Sequence, residues 1–230
     1  MVGIIGAMDE EVDQLIARMT KVQSQRIAGM KYYYGLLAGK AAVIVMCGIG
    51  KVNMTVCTQV MIDRFSPDFL INTGVAGSLS AEINIGDMVF AEDAVEHDMD
   101  TSTFGDPRGQ VPRMNVFGFP CDPKMVDLAE EVNKKVNPDI RSFSGRIATG
   151  DQFIHDNEYK DFLVDEFGAI CCEMEGAAMA HTAYLNEIPC LIVRSISDKA
   201  DGTAELDYQK FKSIAVDHEV KLIMGLMEEM

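Results

Sequence analysis

The chain has no apolar run long enough to cross a bilayer, so no membrane-spanning helix is expected. Met1 runs straight into an expected strand and not into a signal peptide. The six cysteines contain no CxxC pair, and Cys171 and Cys172 are neighbours on an expected buried strand. Adjacent strand residues point to opposite faces, so free buried thiols in a reducing cytoplasm are expected, not a staple. His97, His155, His181 and His218 lack ligand spacing, which argues against a zinc site. Basic residues are few: 20 Lys and Arg face 36 Asp and Glu, a formal net charge of −16, and no Lys/Arg cluster stands out. Phosphates would be repelled, which argues against nonspecific nucleic-acid binding. Neither repeat, linker nor low-complexity stretch divides the 230 residues, a length that suits one domain over 1–230 with a substantial core. What the chain does have, 48% hydrophobic and 24% charged residues, is ordinary for a soluble globular protein. Its 16 methionines suit adaptable core filling, with some lining an apolar ligand pocket.

Strand and helix patterns alternate almost throughout. After the apolar run from Val2 to Ala7, the spacing of Val12, Leu15, Ile16 and Met19 predicts an amphipathic helix over 9–19. Lys31 to Leu37 and Ala41 to Met46 read as a hairpin turning near Ala38-Gly39-Lys40. A helix from Lys51 to Phe65 is stopped by Ser66-Pro67. Phe69 to Thr73 and Asp87 to Ala91 read as strands, and residues 99–120 as a long irregular loop. Asp122-Pro123 opens a helix in the N-cap and N1 positions. Strands near 142–149, 169–174 and 190–196 then alternate with helices near 156–167, 176–187 and 207–228. The fold class is α/β.

Three acids follow apolar runs: Glu11 after Val2–Ala7, Glu175 after Ala169–Met174, and Asp198 after Leu191–Ser197. Ligands of α/β proteins bind outside the carboxyl ends of strands, where such acids could bind hydroxyls, activate water or donate a proton. Taken singly, each also fits an ordinary N-cap or first-turn acid. Glu173-Met174-Glu175 is the least ordinary, because strand alternation would send two like charges to one face. Cys47-Gly48-Ile49-Gly50-Lys51 resembles a phosphate-binding turn, yet Asn53 replaces the third glycine of a dinucleotide fingerprint and Val52 the Ser/Thr of a Walker A loop. A tight turn that lets backbone approach a ligand fits better. Asn72-Thr73-Gly74-Val75-Ala76-Gly77 invites the same reading, and Phe153, after Gly150-Asp151-Gln152, could stack on a planar base or simply fill core.

In combination, Gly3–Val12, Gly48–Val52, Asn72–Gly74, Gly150-Asp151, Phe153-Ile154, Glu173–Glu175 and Arg194–Asp198 resemble the 5′-methylthioadenosine/S-adenosylhomocysteine nucleosidase family over essentially the whole chain. The resemblance implies a purine nucleoside phosphorylase-like fold: a mixed, twisted central β-sheet flanked by helices, usually in a homodimer. It implies hydrolysis of the N-glycosidic bond, releasing adenine from those two nucleosides and from 5′-deoxyadenosine, with no metal or organic cofactor. Asp198 would protonate adenine N7, Ser197 would orient it, and Glu11 would activate water. Glu175 would hold the ribose hydroxyls, with Met174 against the sugar and Glu173, Val75, Ala76 and Gly77 nearby. Phe153 would stack on adenine, and backbone at Phe153 and Ile154 would read its polar edge. Met8, Ile49 and Tyr208 would line the 5′-thio pocket, and Phe104 and Pro112 would reach the partner subunit's site. Val75 stands where relatives often carry Ser, Tyr208 where Phe is common, and Thr101 makes the partner's contribution more polar. A phosphorylase or futalosine-type hydrolase of the same superfold is one alternative. A silent nucleoside-binding protein is another, though binding alone needs no acid–base pair.

Overall fold

The computed structural model describes residues 1–230, with side chains described for all except positions 206, 212 and 213. One mixed sheet of ten strands organises the chain: β1 (Val2–Gly6), β2 (Thr20–Ile27), β3 (Met30–Leu37), β4 (Lys40–Met46), β5 (Phe69–Ser78), β6 (Met88–Glu96), β7 (Phe119–Pro120), β8 (Ser142–Thr149), β9 (Cys171–Glu173) and β10 (Cys190–Asp198). Six α-helices pack around it: α1 (Asp9–Arg18), α2 (Lys51–Phe65), α3 (Pro123–Val136), α4 (Asn157–Phe167), α5 (Gly176–Leu185) and α6 (Ala204–Glu229). The spatial order is β10-β6-β8-β9-β5-β1-β4-β3-β2, and β10 also pairs with β5. Five strands therefore close into a ring, and β1, β4, β3 and β2 extend from it as an open wing. β1, β5 and β10 run parallel side by side, which aligns their carboxyl ends.

These elements follow from their residues. β1 and β10 are buried along their whole length and read as continuous apolar runs broken only at functional positions. α1 buries Val12 and Leu15 on one face, carries Asp9, Glu10 and Glu11 in its first turn and Arg18 in its last, as the helix dipole favours. The β3–β4 turn places Ala38 and Gly39 at φ 49° and 80°, the doubly left-handed pair that matches strand twist in a two-residue hairpin. α2 ends where expected, at Ser66 in a left-handed cap. Asp122 caps α3, accepting from the Lys124 and Met125 N–H groups at 2.9 and 3.2 Å.

Three expectations need correction. β2 was not expected; its sequence is polar and seven of its eight residues are exposed, as an edge strand permits. β5 and β6 run on to Ser78 and Glu96, well past Thr73 and Ala91. The 169–174 strand shrinks to Cys171–Glu173, so Glu175 is not on a strand but at the N-cap of α5. The 99–120 segment is irregular as read, with a short 3₁₀ turn at Ser102–Phe104 and β7 at its end. All six cysteines are free and buried. Among the described residues no helix is long and apolar enough to cross a membrane.

Candidate active site

A cavity of about 310 Å³ opens at the carboxyl ends of β1, β5, β9 and β10. Its wall includes Met8, Ile49, Val75, Ala76, Gly77, Phe153, Ile154, Glu173, Met174, Glu175, Ser197, Asp198 and Tyr208, all expected from the sequence. Ala7, Gln152 and Cys172 complete it and were not foreseen.

β10 delivers the first carboxyl. Asp198 is 3% exposed; its Oδ2 accepts from the Ser197 hydroxyl at 2.9 Å and its Oδ1 from the Ala200 N–H at 2.8 Å. Burial raises its pKa, against the Ala200 and Ser197 hydrogen bonds, so the group keeps a proton more readily than an ordinary aspartate. Glu11 comes from the first turn of α1 and is 2% exposed. Its Oε2 accepts from the Ala7 and Met8 N–H groups at 2.7 and 3.0 Å. Burial pushes its proton affinity up in spite of those amides and the positive charge of Arg194. The carboxylate lies over Gly74, where an added Cβ would stand 3.0 Å from Oε1. A side chain at this position would crowd the carboxylate.

Glu175 lies at the mouth of α5, where its Oε1 accepts from the Gly50 N–H at 2.7 Å. Gly50 has φ 96°, so the glycine turn that resembles a phosphate loop presents its amide to a protein carboxylate. Burial, and then the charge of Glu173, push Glu175 up to about 8. The paired acids are thus separated in role. Glu173 turns inward and accepts from Thr149, from Arg194 and from the N–H groups of Glu175 and Gly176 at 2.9 and 2.7 Å. Although its burial alone would raise the pKa, Arg194 and Thr149 hold Glu173 below the usual carboxylate value. Arg194 is fully buried, bonds Asn72 as well, and feels Glu175 and Glu11.

The apolar end of the cavity is formed by Met8, Ile49 and Tyr208, whose hydroxyl donates to the Met8 Sδ at 3.1 Å. Phe153 is 45% exposed and meets the Tyr208 ring edge-on at a centroid distance of 6.2 Å. Phe104 and Pro112 are not brought to this cavity; Phe104 is 87% exposed and Pro112 is exposed. Thr101 in the same loop donates its hydroxyl to Asp106 at 3.1 Å. Arg194, Thr149 and Glu219 support the site without having been assigned a task. Arg194 carried a signal, a cation inside a buried apolar strand.

Comparison with known proteins fits this geometry. The Phosphorylase superfamily model matches residues 1–227. The 5′-methylthioadenosine/S-adenosylhomocysteine nucleosidase of Desulfotalea psychrophila is 38% identical over 231 residues, covering 100% of this chain and 97% of that protein. The crystal structure of the Neisseria meningitidis nucleosidase of that name, in complex with methylthio-immucillin-A, superposes with a TM-score of 0.96 at 33% identity, covering 100% of this chain and 99% of that one. The futalosine hydrolase of Helicobacter pylori superposes with a TM-score of 0.94, also at 33% identity, covering 100% and 97%. The chain belongs to the phosphorylase superfamily, within the 5′-methylthioadenosine/S-adenosylhomocysteine nucleosidase family.

Proposed function

We propose that this chain hydrolyses the N-glycosidic bond of 5′-methylthioadenosine and S-adenosylhomocysteine, releasing adenine and the corresponding 5-thioribose. The observation that carries the reading is one cavity lined by Asp198 and Glu175, with Glu11 bonded to the backbone of its wall at Ala7 and Met8, all three carboxyls having raised proton affinity. Adenine leaves poorly as an anion. A proton from Asp198 to N7 lets it depart neutral and draws electrons from the glycosidic bond, leaving an oxocarbenium-like sugar. Glu11 takes a proton from the attacking water, and its charge stabilises the cation. Each acid–base contribution is worth about 10²–10⁴-fold in rate. Burial suits Asp198 to hold its proton until needed, and Ser197 fixes its orientation.

Glu175 accepts the ribose hydroxyls, Phe153 stacks on adenine, and Met8, Ile49 and Tyr208 receive the 5′-thio group. Water is favoured over phosphate as the nucleophile. Among the described residues lining the cavity there is no Lys, Arg or His, and Arg194 behind it is already engaged by Glu173. A phosphate would meet carboxylates without the cationic partners that phosphate sites use. Incubation in phosphate-free buffer should give free thioribose and adenine; strict phosphate dependence with a sugar 1-phosphate product would overturn the reading. The likeness to the Helicobacter pylori futalosine hydrolase supports a second substrate class, so the same assay includes a futalosine-type nucleoside.

The working unit proposed is a cytoplasmic homodimer. Exposed Phe104, together with Val52 and Val56 on α2 and Leu185 on α5, gives apolar surface that a second copy would cover. Phe104 and Pro112 then close the apolar end of the opposite subunit's cavity.

A further inference from the structure

Behind the base lies another buried carboxyl, to which the reaction as written gives no task. Glu219 sits on α6 and is 1% exposed. Its neighbours on the buried face of the helix, Ala215, Val216, Val220, Leu222, Ile223, Leu226 and Met227, are all apolar. Placing an acid in that stripe costs free energy unless its oxygens are satisfied. They are: Oε1 accepts from the Gly74 N–H at 3.2 Å and the Ser195 N–H at 3.0 Å, and Oε2 accepts from the Thr73 hydroxyl at 3.2 Å. One carboxyl therefore ties β5 to β10 where the two strands run side by side, Gly74 being the register partner of Arg194 and Val75 that of Ser195. Just beyond this point both strands reach the cavity, β5 through Val75–Gly77 and β10 through Ser197 and Asp198. Gly74 is also the residue over which the Glu11 carboxylate lies.

We propose that Glu219 is a positioning residue for the hydrolysis: by clamping Gly74 to Ser195 it fixes the shelf that holds the Glu11 carboxylate toward the attacking water. The proposal rests on Glu11 acting as the base. The charged groups facing Glu219 are Glu11 from α1 and Arg194 from β10. Burial, and then the Glu11 charge, push Glu219 to about 8, so at neutral pH it holds its proton. Neutral Glu219 adds no second negative charge beside the base, and its O–H can turn the Thr73 contact round and donate to that oxygen. A glutamine in its place would present the same neutral, planar head: a carbonyl for both backbone amides and an NH₂ for Thr73. An alanine would leave the two amides without this acceptor.

The test is steady-state hydrolysis of 5′-methylthioadenosine by the wild type, E219A, E219Q, E11Q and the double variant E11Q/E219A. E219A should lose about tenfold or more in kcat with KM within about twofold, and E219Q should recover most of that loss. Because Glu219 acts through Glu11, E219A should add little, less than about twofold, on the E11Q background. Wild-type kcat in E219A, a loss carried by KM, a full additive loss on E11Q, or failure of E219Q to recover would each overturn the proposal. If E219A does not fold, Thr73→Val removes one of the three contacts and is read the same way. An inactive wild type would instead fault the proposed function, which keeps the two failures apart.

Discussion

Replacing Glu175 by Gln turns the electrostatics of the site into a stability measurement. The native carboxyl titrates near 8 against an ordinary value of 4.5, because burial and then Glu173 disfavour its charge. Between those values the native state binds more protons than the unfolded chain, so stability is greatest below 4.5 and is lost as pH rises through 8. Integrated from pH 5 to pH 8, a single group shifted this far removes on the order of 3 kcal/mol. His97 works the other way, since burial lowers its pKa and makes the native state bind fewer protons below 6.5. Glu219 works in the same direction as Glu175 but is common to both proteins. The diagnostic quantity is therefore the difference between wild type and E175Q. That difference should widen steadily from pH 5 to pH 8 in favour of the variant, which keeps an acceptor for the Gly50 N–H. At about 2–4 °C per kcal/mol for a chain of this size, the Tm gap should grow by about 6–12 °C. Thermal unfolding followed by circular dichroism, without ligand, reads it directly. Two Tm curves that stay parallel across this range would refute the raised proton affinity and the placement of Glu175 that produces it.

Asp198→Asn and Glu11→Gln should each lower kcat by about 10² or more while leaving the circular dichroism spectrum unchanged; near-normal adenine release in either removes that residue from the mechanism. Glu175→Gln should hurt turnover of the natural nucleoside far more than that of its 2′-deoxy analogue, and equal losses would mean that it does not read the 2′-hydroxyl. Phe104→Ala should raise KM most for substrates with a large 5′-thio substituent. Sedimentation at assay concentration checks the shared site behind that expectation, which a fully active monomer would end.

How much of this was legible in the sequence depended on whether a residue's task left a local mark. β1 and β10 announced themselves as mostly apolar buried runs, and the acids that follow or end them, Glu11 in α1 and Asp198, sit directly behind the cavity wall and in it. The Ala38-Gly39 turn and the Asp122-Pro123 cap were equally readable, because their chemistry is set within four residues. β2 left no such mark: an edge strand with seven exposed residues has no apolar period to detect. Glu173 and Glu175 were legible as an unusual pair but not in their division of labour. Alternation along a strand puts them on one face, whereas the strand ends at Glu173 and Arg194, 21 residues away, claims only that one. Closure of the five-stranded ring is a long-range fact of the same kind, decided by β10 meeting both β5 and β6. Glu219 is the instructive middle case. Its position in the repeating apolar stripe from Ala215 to Met227 is visible in the sequence, and an acid there contradicts the helix's own pattern. What it answers to, backbone amides 145 and 24 residues earlier in the chain and a base on the first helix, exists only once the strands are side by side. A local rule broken in sequence thus marks where a long-range demand must be found, and here that demand is the backbone under the catalytic carboxylate.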